Sequence, residues 1–287
     1  MSERIAVIVP CFNAGALIIE TIDSIDEQEP VEIVICDDHS SDPATLAALE
    51  RLRSRGHKVI RHERNEGAAA ARNTALAAST APYVFPLDSD DLAGPGAIGK
   101  MADVLDADPG VDVCFGDFEE IRPDPPRFAK PTLIRAVPER IDPYRLAFTN
   151  EFPATALFRR TMLEEIGGWE EPHPDILGFE DWDLWMKIAE GGYEGRHVGI
   201  GTVVFSYRID EPGLLVSSRS RFRPIYKRLK ERHPKLFGNI AAYRRESDLP
   251  WHRRVLYPIV YGARPRSRLE WPVKRLFDRL RFWSLQR

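Results

Sequence analysis

The sequence predicts an α/β fold, doubly wound around a central, mostly parallel sheet. Three observations carry this. Short apolar runs alternate with helical patterns through the first third of the chain. The runs are continuously apolar rather than alternating, as strands covered on both faces are. Polar and acidic residues follow directly on the runs, where such sheets bind ligands beyond the carboxyl ends of their strands.

The elements follow in order. IAVIVP (5–10) is the first strand run, and ALIIETIDSI (16–25) places Leu17, Ile18, Thr21, Ile22 and Ile25 on one helical face. VEIVICDD (31–38) is the second run. PATLAALERLRSRG (43–56) reads as a helix with Asp42 as cap, Pro43 at its first position and Gly56 at its end. HKVIRHE (57–63) and PYVFPLD (82–88) are further strand runs flanking an alanine-rich helix, GAAAARNTALAAST (67–80). PGAIGKMADVLDAD (95–108) is a fourth helix and VDVCFGD (111–117) a fifth run. Residues 119–145 are rich in proline and charge and read as a connection or flexible loop. Residues 150–218 hold short segments with many aromatics, and beyond 219 the chain turns basic and amphipathic.

At 287 residues, with 43% hydrophobic and 29% charged side chains, the composition is that of a folded globular protein with a sizeable core. No run of about 18 apolar residues occurs, so no transmembrane helix is expected. The charged start, MSERIAVIVP, lacks a small-residue cleavage site, so no secretory signal is expected either. Cys11, Cys36 and Cys114 fit neither a zinc site nor a disulfide framework. They are expected to be reduced core residues in a cytoplasmic protein. The net charge of −4 conceals a split: residues 219–287 hold 20 Lys/Arg against 5 Asp/Glu, and residues 1–218 hold 20 against 39. A tail so basic points to an anionic partner.

Four segments carry candidate chemistry. LDSDDL (87–92) ends a strand run, and its clustered carboxylates Asp88 and Asp90 suit a hard divalent cation such as Mg²⁺ or Mn²⁺. Alternatively, Asp90 or Asp91 caps a helix starting near Gly94. In CDDHSSD (36–42), Asp37 and Asp38 stand where a carboxylate accepts hydrogen bonds from a ribose or nucleobase, or serve only the turn. In RNEGAAAARN (64–73), Gly67 lets backbone approach a ligand at a helix start and Arg72 could reach a diphosphate. The other reading is a packed alanine helix with a solvated arginine. In GFEDWDLWMKIAEGGY (178–193), Trp182, Trp185, Met186 and Ala189 recur at core spacing. Glu180, Asp181 and Asp183 at this helix start either complement its dipole or include a general base poised over an acceptor hydroxyl. There is no G-x-G-x-x-G fingerprint, no phosphate loop, no G-x-S-x-G elbow and no metal spacing among the seven histidines.

These segments, in this order, resemble glycosyltransferase family 2, inverting transferases of the GT-A fold. The resemblance runs from IAVIVPCFNAG (5–15) to GGWEEPHPDILGFEDWDLWMKIAEGGY (167–193) and covers roughly the first 220 residues. It implies a Rossmann-like sheet flanked by helices. By position it makes Asp37 and Asp38 nucleoside contacts, with Pro10 and Asn13 lining the same pocket, and Arg72 a nucleotide contact. Asp88 and Asp90 form the family's Asp-x-Asp, with Asp88 also at the nucleotide and Asp90 the direct ligand of Mn²⁺ or Mg²⁺. Asp181 becomes the catalytic base and Glu180 an acceptor contact. FSYRIDEPGLLVSS (205–218) resembles a loop that closes over the donor, with Asp210 where the family often has histidine.

WPVKRLFDRLRFWSL (271–285) sets Val273, Leu276, Phe277, Leu280 and Trp283 against Lys274, Arg275, Arg279 and Arg281. That pattern fits a helix lying on an anionic membrane, a helix packed on its own domain, or a dimer contact; no nucleic-acid motif accompanies it. The resulting expectation has three parts. Residues 1–118 bind the nucleotide-sugar, 119–218 carry the acceptor site and base, and 219–287 form a basic helical region. The activity expected is metal-dependent sugar transfer from a UDP-, dTDP- or GDP-sugar to a glycan or lipid-linked acceptor, in the cytoplasm and on the inner face of the membrane. The alternatives are a sugar-nucleotide pyrophosphorylase, which would want a Gly-rich basic loop where PCFNAG stands, and a non-catalytic nucleotide- or glycan-binding relative.

Overall fold

A computed structural model describes residues 3–121, 132–170, 178–209 and 222–261. The first strands and helices are β1 (Ile5–Cys11), α1 (Leu17–Asp23), β2 (Glu32–Asp37), α2 (Pro43–Ser54), β3 (Lys58–Arg61) and α3 (Ala68–Ala78). They continue with β4 (Tyr83–Pro86), β5 (Leu92–Ala93), α4 (Ala97–Ala107), β6 (Val113–Phe115), β7 (Asp117–Ile121) and β8 (Thr132–Arg135). The second half holds α5 (Pro143–Leu146), β9 (Leu157–Arg159), α6 (Arg160–Glu165), α7 (Glu180–Gly191), β10 (Gly195–His197) and β11 (Val203–Arg208). Four helices close the described chain: α8 (Phe222–Arg232), α9 (Pro234–Gly238), α10 (Ile240–Glu246) and α11 (Trp251–Tyr261).

The main sheet has seven strands in the order β10-β6-β9-β4-β1-β2-β3. All its pairings are parallel except those of β9, which runs antiparallel to both β4 and β6. The continuous apolar run of β1 splits its residues between the two faces. Val7 and Val9 meet α1, α2 and α4 on one side, and Ile8 meets α3 and the aromatic layer of α7 on the other. That second layer includes Trp169, Trp182 and Trp185, and Ile225, Leu229, Leu236 and Tyr257 of the last four helices, with Leu249 between the last two, belong to the same core. Asp42 caps α2 as its sequence position implies, accepting from the Thr45 amide at 2.8 Å.

The segment expected to be a loop, 119–145, is partly sheet. β7 pairs in parallel with β11, and β8 forms an antiparallel edge on β7, in a second sheet of order β5-β11-β7-β8. Its charge content suits an edge whose side chains alternate towards water. Arg135 and Glu120, for instance, form a bidentate pair at 2.7 and 2.9 Å across β8 and β7. Residues 122–131, Asp210 and the amphipathic stretch 271–285 lie outside the described residues. The three cysteines are free and buried, and burial above all pushes their thiols up to about 12, which leaves them inert.

Candidate active site

Parallel register brings the carboxyl ends of β1, β2 and β4 to one edge. Cys11 lies beside Asp37, the Asp38 amide donates to Cys11 O at 2.8 Å, and the Leu87 amide donates to Ile8 O at 3.0 Å. Asp37, Asp38, Asp88 and Asp90 therefore leave the sheet on the same side.

At the β1–β2 corner Pro10 is buried within β1. Asn13 adopts a positive φ of 51°, and its Oδ1 accepts from the amides of Ser41 and Asp42 at 2.9 and 3.0 Å. Asp37 accepts from the Ser40 amide at 2.9 Å and from Arg61 Nη1 at 2.6 Å. Asp38 accepts from the amides of Glu66 and Gly67 at 2.8 and 2.7 Å and meets His62 Nδ1 at 2.8 Å. Asp38 thus pins the turn that opens α3, where Gly67 sits at φ 94°, in the region that favours glycine.

The acidic run follows β4. Asp88 and Asp90 are partly exposed, whereas Asp91 is buried and accepts from the Arg208 amide at 3.0 Å. Neither Asp90 nor Asp91 caps a helix: the two-residue strand β5 intervenes and α4 begins after Gly96. Burial first, then the carboxylates of Asp88 and Asp90, push the Asp91 carboxyl up to about 9. The run is therefore a concentration of negative charge that a cation relieves. Among the described residues, no three His, Cys, Asp or Glu side chains form a metal cage by themselves. A cation held here by Asp88 and Asp90 would take its remaining ligands from substrate oxygens and water, as Mg²⁺ and Mn²⁺ do in phosphate chemistry.

Arg72 is not solvated. It is 3% exposed, and its Nη2 donates to Asp88 Oδ1 at 2.5 Å. Its Nη1 lies 3.7 Å from Glu180 Oε1, and neither Nη1 nor Nε has a hydrogen-bond partner. Burial opposes the guanidinium charge, but Asp88 and Glu180 prevail and raise its pKa above the usual arginine value. One buried cation therefore joins the carboxylates after β4 to the head of α7, 108 positions away in sequence from Arg72 to Glu180.

At that head Asp181 Oδ1 accepts from the Trp182 amide at 2.8 Å, and Oδ2 accepts from Asn150 Nδ2 at 2.9 Å. Burial, then the Glu180 carboxylate, push the Asp181 carboxyl up to about 7, against the opposing effects of the Trp182 amide and Arg72. That is the range a general base needs. Asp183 has a different environment. It is fully buried and meets Arg232 Nε at 2.7 Å and His233 Nε2 at 3.0 Å, tying α7 to α8 and α9.

The structure brings together Arg72, Asp88, Glu180 and Asp181, and places Pro10, Asn13, Asp37 and Asp38 at the neighbouring corner. Three residues were missed in sequence. Phe12 is 51% exposed beside Asn13, a large apolar ring at the mouth of that corner. His62 supports Asp38, and Asn150 contacts Asp181. An aromatic between Cys11 and Asn13 was a readable signal; the other two carry none outside the fold.

A mostly parallel α/β sheet flanked by helices, with acidic residues at its carboxyl edge, is the architecture of the GT-A fold. The chain belongs to glycosyl transferase family 2, whose sequence profile matches residues 6–167. Among relatives, it is 39% identical to WfgD of Escherichia coli, a UDP-Glc:α-D-GlcNAc-diphosphoundecaprenol β-1,3-glucosyltransferase, over 77% of this chain and 82% of that protein. It is 26% identical to the protein y4gI of Sinorhizobium fredii (strain NBRC 101917 / NGR234) over 94% of its own length, but spans only 28% of y4gI. Among solved structures, the mannosyltransferase PcManGT of Pyrobaculum calidifontis, in complex with GDP-Man and Mn²⁺, superposes with a TM-score of 0.55. The identity is 21%, over 96% of this chain and 84% of that one.

Proposed function

We propose that the protein transfers a sugar from a nucleotide-diphosphate donor to an acceptor hydroxyl by a single inverting displacement, assisted by Mn²⁺ or Mg²⁺. The observation that carries this reading is the Arg72 bridge. It joins the Asp88–Asp91 cluster to Glu180, next to Asp181 at the head of α7, through one buried cation. Asp181 accepts the proton of the acceptor hydroxyl, whose oxygen bonds to the anomeric carbon. The bond to the diphosphate oxygen breaks, and its electron pair leaves with the nucleoside diphosphate. A divalent ion held by Asp88 and Asp90 would supply charge stabilisation to that leaving group. With a base on one face and the leaving group on the other, no covalent nucleophile is needed.

Arg72 adds fixed positive charge beside Asp88, where the diphosphate would lie. Asp37, Asp38, Pro10 and Asn13 shape the nucleoside corner, where the Phe12 ring offers a stacking surface. Glu180 lies beside the base on the acceptor side. UDP is the favoured nucleotide and a diphospholipid-linked glycan the favoured acceptor class, in keeping with the name of WfgD. Among the described residues no helix is long and apolar enough to cross a membrane. Such an acceptor would be met at the surface, through the outward face of α11 and the basic residues after it. There Trp251, Val255 and Leu256 are 76, 46 and 38% exposed.

The test is calorimetric titration with UDP, dTDP and GDP, each with and without Mn²⁺. One nucleotide binding tightly only with metal, and at least about tenfold more weakly to Asp90→Ala, is the expected result. A folded protein that binds none of them overturns the reading. Binding without transfer or donor hydrolysis would instead favour a non-catalytic relative.

A further inference from the structure

The chain that faces Asp181 is held in place by the helix that carries Asp181. Trp182 Nε1 donates to Leu146 O at 2.8 Å, and Trp185 Nε1 donates to Pro153 O at 2.9 Å. Two indoles of α7, both buried, thus grip the two ends of the segment 146–153. Within it the Glu151 carboxylate is buried against the Arg145 guanidinium, and the Phe152 ring lies 4.7 Å from Trp185 and 4.9 Å from Phe115. Asn150 occupies the part of this arm that returns to the head of α7.

Its amide has one consistent orientation. Oδ1 accepts from the Phe152 amide at 3.1 Å, so Nδ2 is the group that faces Asp181, at 2.9 Å from Oδ2. The Trp182 amide holds Oδ1 of the same carboxylate. Each carboxylate oxygen has one donor and keeps a further acceptor site, so the group is fixed in rotation and still able to take a proton. The charged groups that face it are Glu180 on its own helix and Arg72 from α3; the arm contributes the neutral Asn150.

We propose that Asn150 is a positioning residue for sugar transfer: its locked amide orients the Asp181 carboxylate towards the acceptor and favours its ionised, proton-accepting form. The inference rests on the reading of Asp181 as the base. A hydrogen bond donated to a carboxylate stabilises the charged form, and here it offsets part of the opposing effect of burial and Glu180. A donor at this point also leaves the carboxylate no reason to swing back towards Arg72. A carboxylate at position 150 would keep the volume without the donor.

The experiment uses the full chain with Asn150→Ala, Asn150→Asp and Asp181→Asn. Asp181 is titrated by carboxyl ¹³C NMR, its signal assigned by its loss in Asp181→Asn, and slow hydrolysis of UDP-glucose is followed against pH. The expected result is a titration midpoint raised by about one unit in Asn150→Ala, and by more in Asn150→Asp, where a third carboxylate joins Asp181 and Glu180. The acid limb of kcat/KM should move with it while affinity for UDP stays unchanged. Asn150→Asp still offers an acceptor to the Phe152 amide, so it serves if the alanine variant fails to fold. An unmoved midpoint and pH profile, with Asp181→Asn inactive, overturns the role of Asn150 alone. Full turnover by Asp181→Asn overturns the base itself.

Discussion

At Asp181 a carboxyl group that ordinarily titrates near 4 is pushed up to about 7 by burial and Glu180. For a general base this sets the acid limb of kcat/KM near neutral pH. Donor hydrolysis measured across the pH range should therefore fall about tenfold per unit below that value, where an unshifted carboxylate would sustain it to about pH 4. The shift also has a sign for stability. A carboxyl raised in the folded state binds its proton more tightly there than in the unfolded chain. Its contribution is fully present below about pH 4 and lost as pH rises through about 7. The Tm of the wild type relative to an Asp181→Leu variant is expected to fall over that window. Much at this scale was legible in the chain. The acids at 37–38, 88–90 and 180–181 and the cap at Asp42 were all marked by their place at strand or helix ends. Burial was harder to see. On its own segment Arg72 reads more readily as a solvated helical arginine until the fold brings Asp88 and Glu180 to it, and Asn150 has no local pattern because its partner lies 31 residues away.

Among the elements, α3 and the segment that follows α6 show how a single polar side chain can join two packed units. Asn73, one residue beyond Arg72, accepts from the Trp169 amide at 3.0 Å and donates to the Trp169 carbonyl at 2.7 Å. It thereby imitates a strand partner. Gly168 makes this approach possible. Its φ is 62°, and a Cβ there would lie 2.4 Å from Asn73 Oδ1. Gly168→Ala is expected to cost about 2–4 kcal/mol, from backbone strain together with the disrupted pair, read as a lower urea midpoint with unchanged slope. Because Asn73 follows Arg72 on α3, the same variant should weaken UDP binding as well as stability. The first four helices, α7, and strands β1, β2, β3, β4 and β6 were legible from their periods, to within a few residues at their ends, whereas the three-residue strands β9 and β10 were not. The second sheet was not. β7 carries Glu119 and Glu120, the edge strand β8 carries Arg135, and β5 has two residues, so neither composition nor length announces a strand.

For the whole molecule, charge is distributed in a way that bears on where it works. Residues 1–218 carry 20 Lys/Arg against 39 Asp/Glu, while the last 69 residues carry 20 against 5. The Tyr257 ring side of α11 enters the core beside Tyr144, and Tyr144 Oη donates to Arg254 O at 2.5 Å. Its Trp251–Val255–Leu256 side faces outward. If that side meets lipid, the protein should co-sediment with phosphatidylcholine vesicles that contain phosphatidylglycerol and release them as salt is raised. The pair Trp251→Ser, Val255→Ser should weaken this by about tenfold or more, at the usual value of buried apolar surface. Equal recovery of wild type and variant, or no binding at all, would remove the membrane from the account.

The antiparallel strand β9 has a consequence for how the chain is made. It lies between β4 and β6, so β6 has no sheet neighbour other than β9 and β10, both of which come later in the sequence. While the ribosome is still translating anything before residue 157, the nascent sheet can extend only from β3 to β4. The strand that carries Cys114 and Phe115 must wait with its hydrogen-bonding groups unclaimed. A strand from the second half of the chain is therefore the keystone of the sheet built by the first. The edge that bears Asp37, Asp38 and Asp88 comes to rest on a finished sheet only after β9 has emerged and been threaded into the gap.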